Sequence, residues 1–337
     1  MKILVIQTAF IGDLIMITPI FKALKEVYPE AEIHVLAIPS SAIILKHNPY
    51  INKIFTFDKK SGIFRKIHSF FKILSTFRKN KYDIAISLQN SITSSLLMLL
   101  AGIKRRIGSR RMKLLTDKVI IPKGLHNRQR VLELLKPISN LRFSEETEIF
   151  LSEAELSVAR EVLNKDEGQV KIAIAPGSVR QTKKWLPEYY SQLSSMLSEA
   201  GYFLYFIGSK EELPLCEEII SNSGAKQIKN LAGKLNLLES AALISMVDLV
   251  VCNDSSPLHL ANAVKTDVFA FFGPTVKRFG CYPYRPNDMM LEVDLECRPC
   301  DKHGGDVCPL GHHNCMKMIK PELVAKLIFE KFAKFRE

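Results

Sequence analysis

The class of this 337-residue chain is narrowed first by what it does not contain. No apolar run approaches the roughly 20 residues a helix needs to cross a bilayer. There is no low-complexity tract and no short internal repeat, which sets aside repeat arrays and disordered linkers. The opening residues, MKILVIQTAFIGDLIMITP, are apolar, but they lack a small-residue cleavage site and Asp13 interrupts them. They read as a buried strand running into a helix. The chain is therefore expected to be cytoplasmic, with its seven cysteines reduced. Acid is scarce in the first half. Residues 1–165 hold 27 Lys and Arg against 14 Asp and Glu, whereas the remainder holds 20 against 21. The net charge of +12 thus belongs to one side of the sequence. Such asymmetry suggests a polyanionic partner there (nucleic acid, an anionic membrane face or a phosphorylated lipid) or else a solvated basic surface.

What is present is an ordinary globular mixture, 47% hydrophobic and 24% charged. The length suits two domains of about 150 residues. Short Val- and Ile-rich runs alternate with helical patterns, the signature of parallel βαβ units. Strands are predicted at Lys2–Ile6, Ile33–Ala37, Lys53–Phe57 and Asp83–Leu88, with a weaker one at Val119–Ile121. The pattern restarts with Lys171–Ala175, Phe203–Ile207, Gln227–Leu231, Leu249–Cys252 and Val268–Phe272. Helices are predicted at Gly12–Val27, Glu188–Glu199, Leu238–Met246 and Pro321–Phe335, the last packing back on one domain or the other. A polar, acidic stretch around residues 140–170 marks the connection. The expectation is an α/β protein: two Rossmann-like, doubly wound domains, 1–155 and 156–337, facing each other across a cleft.

Three strand ends carry candidate chemistry. After Leu249–Cys252 comes Asn253-Asp254-Ser255-Ser256-Pro257-Leu258-His259, where hydroxyls and helix N–H groups can receive an anion. Simple helix capping by Asp254 or Ser255 is the bland alternative. After Lys171–Ala175 comes Pro176-Gly177-Ser178, then Arg180, Lys183, Lys184 and Trp185, a close-approach loop with cations that suit a phosphate or are merely solvated. Both clusters belong to one predicted domain and can converge on one pyrophosphate. The first strand ends at Phe10-Ile11-Gly12-Asp13, where the carboxylate either takes a proton from a hydroxyl or caps the helix. Two further clusters stand apart. Lys59, Lys60, Arg65, Lys66 and Lys72 interleave with Phe64, Phe70 and Phe71, and Arg105, Arg106, Arg110 and Arg111 follow. Cys297, Cys300, Cys308 and Cys315 are spaced C-x2-C-x7-C-x6-C, which allows a structural zinc or a reduced, thiol-rich packed loop.

Gly12-Asp13 with Thr18-Pro19, Pro-Gly-Ser to Lys-Lys-Trp, Gly233-Lys234 through Glu239, Asn253-Asp254 to His259, and Phe272-Gly273-Pro274-Thr275 occur in this order over most of the chain. Together they resemble the ADP-heptose lipopolysaccharide heptosyltransferases of glycosyltransferase family 9, inverting enzymes of GT-B architecture. The tail from Cys297-Arg298-Pro299-Cys300 to Cys315-Met316 resembles the heptosyltransferase II branch. The resemblance implies ADP-heptose as donor, no required cofactor, and a phosphorylated lipid A-core acceptor met at the inner membrane face. It implies Asp13 as catalytic base and Lys183 as the cation on the departing ADP. Lys184 falls where the family often has Arg or His. Ser178, Asp254, Ser255, Ser256 and His259 would form the donor loop, and Glu239 would hold the ribose. Lys59, Lys60, Arg65, Arg105 and Arg106 would attract the acceptor. The chain departs from the pattern at Ser256, where many members have Gly, and by an inserted Leu186. Nucleic acid fits the charge, but no RNA- or DNA-binding module accompanies it. A sugar-nucleotide epimerase and a nucleotide-sugar binding protein are the other classes, the latter disfavoured by Gly12-Asp13.

Overall fold

The computed structural model describes residues 1–58, 62–163 and 169–333, without the side chains of residues 63–66. The chain divides into two compact units, Met1–Phe150 and Leu151–Glu337.

Among the described residues, unit 1 contains six strands: β1 Lys2–Ile6, β2 Glu32–Ala37, β3 Lys53–Thr56, β4 Ile84–Ser87, β5 Arg105–Ser109 and β6 Asp117–Val119. They form one sheet in the order β3-β2-β1-β4-β5-β6, every neighbouring pair parallel. Unit 2 contains β7 Lys171–Ala175, β8 Phe203–Phe206, β9 Ile228–Asn230, β10 Leu249–Asn253, β11 Val268–Phe272 and β12 Met289–Glu292. These lie in the order β12-β11-β10-β7-β8-β9, again all parallel. Counted from its own first strand, each unit has the doubly wound order 3-2-1-4-5-6. The fold is therefore α/β with the same connectivity used twice.

The apolar runs form these strands because parallel sheets are covered on both faces. All five residues of β10 and of β11 are buried. Two strands escaped the sequence pattern. In β5, the sequence Arg-Arg-Ile-Gly-Ser places only Ile107 and Gly108 inside, and pairing with β4 and β6 imposes the extended form. β12, Met-Met-Leu-Glu, is held at the sheet edge by β11. The predicted helix Gly12–Val27 is two helices, Ile11–Met16 and Pro19–Val27. Pro19 has no N–H to continue the first, and Thr18 turns both its N–H and its hydroxyl onto the Ile15 carbonyl.

The terminal helix, described over Pro321–Ala333, packs on unit 2 against the helix Pro187–Glu199. Val324, Ala325, Ile328 and Phe332 complete the core beside Tyr202 and Leu197. Trp185 anchors the opposite part of that core. It stacks on Phe271 with ring centroids 4.2 Å apart, and its indole N–H donates to the Ile319 carbonyl at 2.9 Å.

Candidate functional site

Open parallel sheets bind ligands at the carboxyl ends of the two strands where the order reverses. In unit 2 those strands are β7 and β10. The chain leaves β7 through Pro176-Gly177-Ser178 and leaves β10 through Asp254-Ser255 into the helix Ser256–Ala263. Asn253, fully buried, ties the two exits together. Its amide nitrogen donates to the Pro176 carbonyl at 2.8 Å, and its amide oxygen accepts from Trp185 N–H at 2.8 Å and Tyr190 OH at 3.2 Å. Burial holds the Tyr190 hydroxyl well above its ordinary pKa, so it stays a donor. Gly177 leaves room for the Glu212 side chain. A Cβ there would collide with the Glu212 carboxylate, which itself accepts from Ser209 N–H at 2.7 Å.

Beside this hub the Lys183 ammonium sits 2.6 Å from Asp254 Oδ2 and also donates to the Asp254 carbonyl at 3.3 Å. Thr275 donates its hydroxyl to the same Oδ2 at 2.7 Å. Both charges are largely buried, with side-chain exposures of 15% and 7%, so each depends on the other. His259, one turn into the following helix, is pushed down to about 4, first by burial and then by the Lys183 charge, against the pull of Asp254. It is neutral near pH 7 and adds no charge to the site. Ser255 precedes the helix in an extended conformation, and among the described residues no side chain caps this terminus. Its hydroxyl donates instead to the Asn253 carbonyl at 3.3 Å. The partial positive charge of the helix start is thereby left toward the loop. Ser256 occupies the first helical position, and Ser178 accepts from Arg180 N–H at 3.4 Å. Lys184 is half-buried in extended backbone just past Lys183. Glu239 is the third residue of the helix Leu237–Ile244, where its Oε2 accepts from Asn236 N–H at 2.7 Å and closes a capping box.

The cysteine-bearing segment lies on the back of the lysine turn. Thr182 accepts from Gly305 N–H at 2.9 Å through its hydroxyl and donates its own N–H to the Gly305 carbonyl at 3.0 Å. The His313 imidazole meets the Thr182 carbonyl at 2.9 Å. Gly304, at φ 78°, faces Lys183 so closely that a Cβ would come within 3.0 Å of Lys183 Cγ. Thr182, Cys300, Cys308, His313 and Cys315 line one small cavity here. Among the described residues no three His, Cys, Asp or Glu side chains are arranged to hold a metal ion. The Cys300 thiol donates to the Cys297 carbonyl at 3.1 Å, and burial pushes Cys315 up to about 11. Gly304, Gly305 and His313 of this segment brace the turn that carries Lys183.

In unit 1 the order reverses between β1 and β4. The Gln89 amide after β4 donates to the Thr8 hydroxyl after β1, much as Asn253 joins the strand exits of unit 2. Asp13 is half-buried in the first turn of the helix Ile11–Met16, beyond this stitch. Gln7 was not singled out from the sequence. It is 6% exposed, and among the described residues its Oε1 has no hydrogen-bond partner. A glutamine closing an apolar strand was the available signal. Of the predicted acceptor residues, Lys59 and Lys60 lie outside the described residues, as does the side chain of Arg65. Arg105 donates to the Pro137 carbonyl at 2.5 Å and lies 3.4 Å from Asp117. Arg106 donates to the carbonyls of Ile103 at 2.6 Å and Leu114 at 2.9 Å. Both guanidinium groups hold loops of their own unit.

Residues 70–309 match glycosyltransferase family 9 (heptosyltransferase). The chain is 31% identical over 278 residues to lipopolysaccharide heptosyltransferase 3 of Escherichia coli K12, covering 78% of this chain and 80% of that one. It is 26% identical over 327 residues to lipooligosaccharide heptosyltransferase 2 of Campylobacter jejuni, covering 96% of each. Its fold is similar to the solved structure of E. coli ADP-heptose lipopolysaccharide heptosyltransferase II, with a TM-score of 0.80 and 24% identity over the full length of both.

Proposed function

The chain belongs to glycosyltransferase family 9, the heptosyltransferases, and on that premise we propose that it transfers heptose from ADP-L-glycero-β-D-manno-heptose to the lipopolysaccharide inner core, on a heptosyl-Kdo-lipid A acceptor. The observation that carries this reading is the Lys183 ammonium held on Asp254 at the end of β10. An ammonium has three N–H donors. Two go to Asp254, which leaves one for a phosphate oxygen of the donor.

In this mechanism the acceptor hydroxyl attacks the anomeric carbon while the bond from that carbon to the ADP oxygen breaks on the opposite face. The configuration inverts. The hydroxyl proton passes to the Asp13 carboxylate, and the new negative charge on ADP is met by Lys183 and by the uncapped start of the helix Ser256–Ala263. These groups are fixed before reaction, so they stabilise the departing charge without reorganising. Ser178, Lys184, Ser255 and Ser256 line the phosphate path, and Glu239 holds ribose hydroxyls with the carboxylate that its capping box orients. His259, neutral and buried, supports the loop from beneath. Unit 1 carries the acceptor side. Lys59, Lys60 and Arg65 supply charge toward the phosphorylated core, while Arg105 and Arg106 shape the loops around it. Contact with the cytoplasmic face of the inner membrane follows from the lipid nature of the acceptor.

The test is to incubate the protein with ADP-heptose, with and without heptosyl-Kdo-lipid A. ADP release that requires acceptor is the expected result. Epimer formation without acceptor, or no reaction with either, would overturn the reading.

A further inference from the structure

The helix Ile92–Leu100 in unit 1 is apolar on both faces, since Leu97 and Met98 are buried in the core beside Ser94 and Ser95. Ser94 and Ser95 face inward at 4% and 1% exposure, whereas Ile92 is 76% exposed and Leu96, Leu99 and Leu100 are 38–39% exposed. Those four residues recur at i, i+4, i+7 and i+8, so they form one outward stripe. The neighbouring helix also exposes large apolar side chains. Arg78, on the helix Ile63–Asn80, donates to the Leu100 carbonyl at 2.9 Å, and Ile67 and Phe71 lie exposed on that neighbouring helix at 51% and 61%. Six large apolar side chains exposed on two adjacent helices are more than the scatter of single apolar residues that any surface carries.

The charge around it is one-sided. Residues 59–116 hold 14 Lys and Arg against a single acid, Asp83. Even that carboxylate is engaged internally, accepting from Lys2 N–H at 2.7 Å. Lys72, Arg78, Lys79, Lys81 and Lys104 are exposed near the stripe. Among the described residues no helix is long and apolar enough to cross a membrane. We infer that the faces of these two helices form a membrane-docking surface that inserts Ile92, Leu96, Leu99, Leu100, Ile67 and Phe71 shallowly into an anionic bilayer. Apolar side chains enter the headgroup boundary while the surrounding cations meet lipid phosphates. A nucleic acid offers nothing to the stripe. A second copy of the chain would bring two strongly basic faces together, at an electrostatic cost. The inference rests on the lipid-linked acceptor proposed above, because the surface would bring the enzyme to the plane in which that lipid is held.

The experiment is co-sedimentation with vesicles of phosphatidylethanolamine and phosphatidylglycerol, and with phosphatidylcholine vesicles, in the absence of donor and acceptor. It thus reads docking whether or not sugar transfer holds. Wild type is expected to bind the anionic vesicles at least about tenfold more tightly than the neutral ones. The Ile92→Gln/Leu96→Gln/Leu99→Gln variant should lose about tenfold or more on the anionic vesicles, with its thermal unfolding midpoint unchanged. The Lys72→Gln/Lys79→Gln/Lys104→Gln variant should lose most of the preference for anionic lipid and much of the salt dependence, and it decides the question if the first variant folds poorly. Equal binding by folded variants and wild type would overturn the inference. So would a wild type without lipid preference whose concentration-dependent dimer is abolished by the glutamine substitutions, which would assign the face to a second copy.

Discussion

The two places where strand order reverses are built on one plan and finished differently. In each unit a side-chain amide bridges the exits of the two central strands, Gln89 to Thr8 in unit 1 and Asn253 to Pro176 in unit 2. Beyond that stitch, unit 2 closes in. Lys183, Asp254 and Thr275 are locked together, and the segment carrying Gly304 and Gly305 presses on the turn from behind. In unit 1 Asp13 is half-buried beyond the stitch, and the buried Gln7 Oε1 lacks a hydrogen-bond partner among the described residues. A small, highly charged ligand rewards groups fixed in advance, since each hydrogen bond then forms without ordering cost. One fold can carry different sites because the strand ends, rather than the sheets, hold the difference.

The sharpest way to break the comparison is at the stitch of unit 2. Asn253→Ala leaves Trp185 N–H, Tyr190 OH and the Pro176 carbonyl buried without partners, and should cost about 3–5 kcal/mol in denaturant unfolding. A loss below about 1 kcal/mol would show that the hub is dispensable. Next in size is a pH effect from His259. Its folded pKa of about 4 lies below the ordinary 6.5, so the unfolded chain binds the proton more readily. The associated stability is complete above pH 6.5 and is lost as pH falls toward 4, by up to about 3 kcal/mol. His259→Asn should flatten that limb of the stability–pH curve relative to wild type. An unchanged slope would place the proton elsewhere.

Lys183→Met should weaken ADP binding by roughly ten- to a hundredfold in calorimetric titration, because one charge-assisted contact to phosphate is worth about 1.5–3 kcal/mol. Unaltered affinity would remove Lys183 from the donor site. The smallest effect is expected at Gly304. Ala at φ 78°, with its Cβ against the Lys183 stem, should cost about 1 kcal/mol of stability and raise the donor KM severalfold. A variant with unchanged KM would mean that the cysteine segment does not position the lysine turn.

Much of the fold was legible because its central strands are apolar on both faces. β1, β7, β10 and β11 stand out as apolar runs whatever surrounds them. β5 and β12 were not, since neighbours rather than their own residues impose the extended form. The lysine turn and the Asp254 loop could be read as two clusters near strand ends, but their ion pair spans 71 residues and follows only from the winding. The same non-locality hid the bridging role of Asn253, which was read only as the first residue of the loop after Leu249–Cys252. The cysteine spacing left a structural zinc and a packed, thiol-rich loop both open because spacing does not reveal direction. In the fold one thiol faces a carbonyl and another is buried, and the segment serves as a brace. The helix Ile92–Leu100 is a further case, for its apolar count alone does not tell which side chains are buried and which exposed.

The division of labour between the two strand-end sites is tested most directly by Asp13→Asn, read in two ways on one preparation. ADP affinity is measured by calorimetry, and acceptor-dependent ADP release by single-turnover kinetics. The account predicts affinity close to wild type, with release slowed by at least about a hundredfold, the scale of a lost general base. Release at near wild-type rate, or loss of ADP affinity in parallel with rate, would contradict it.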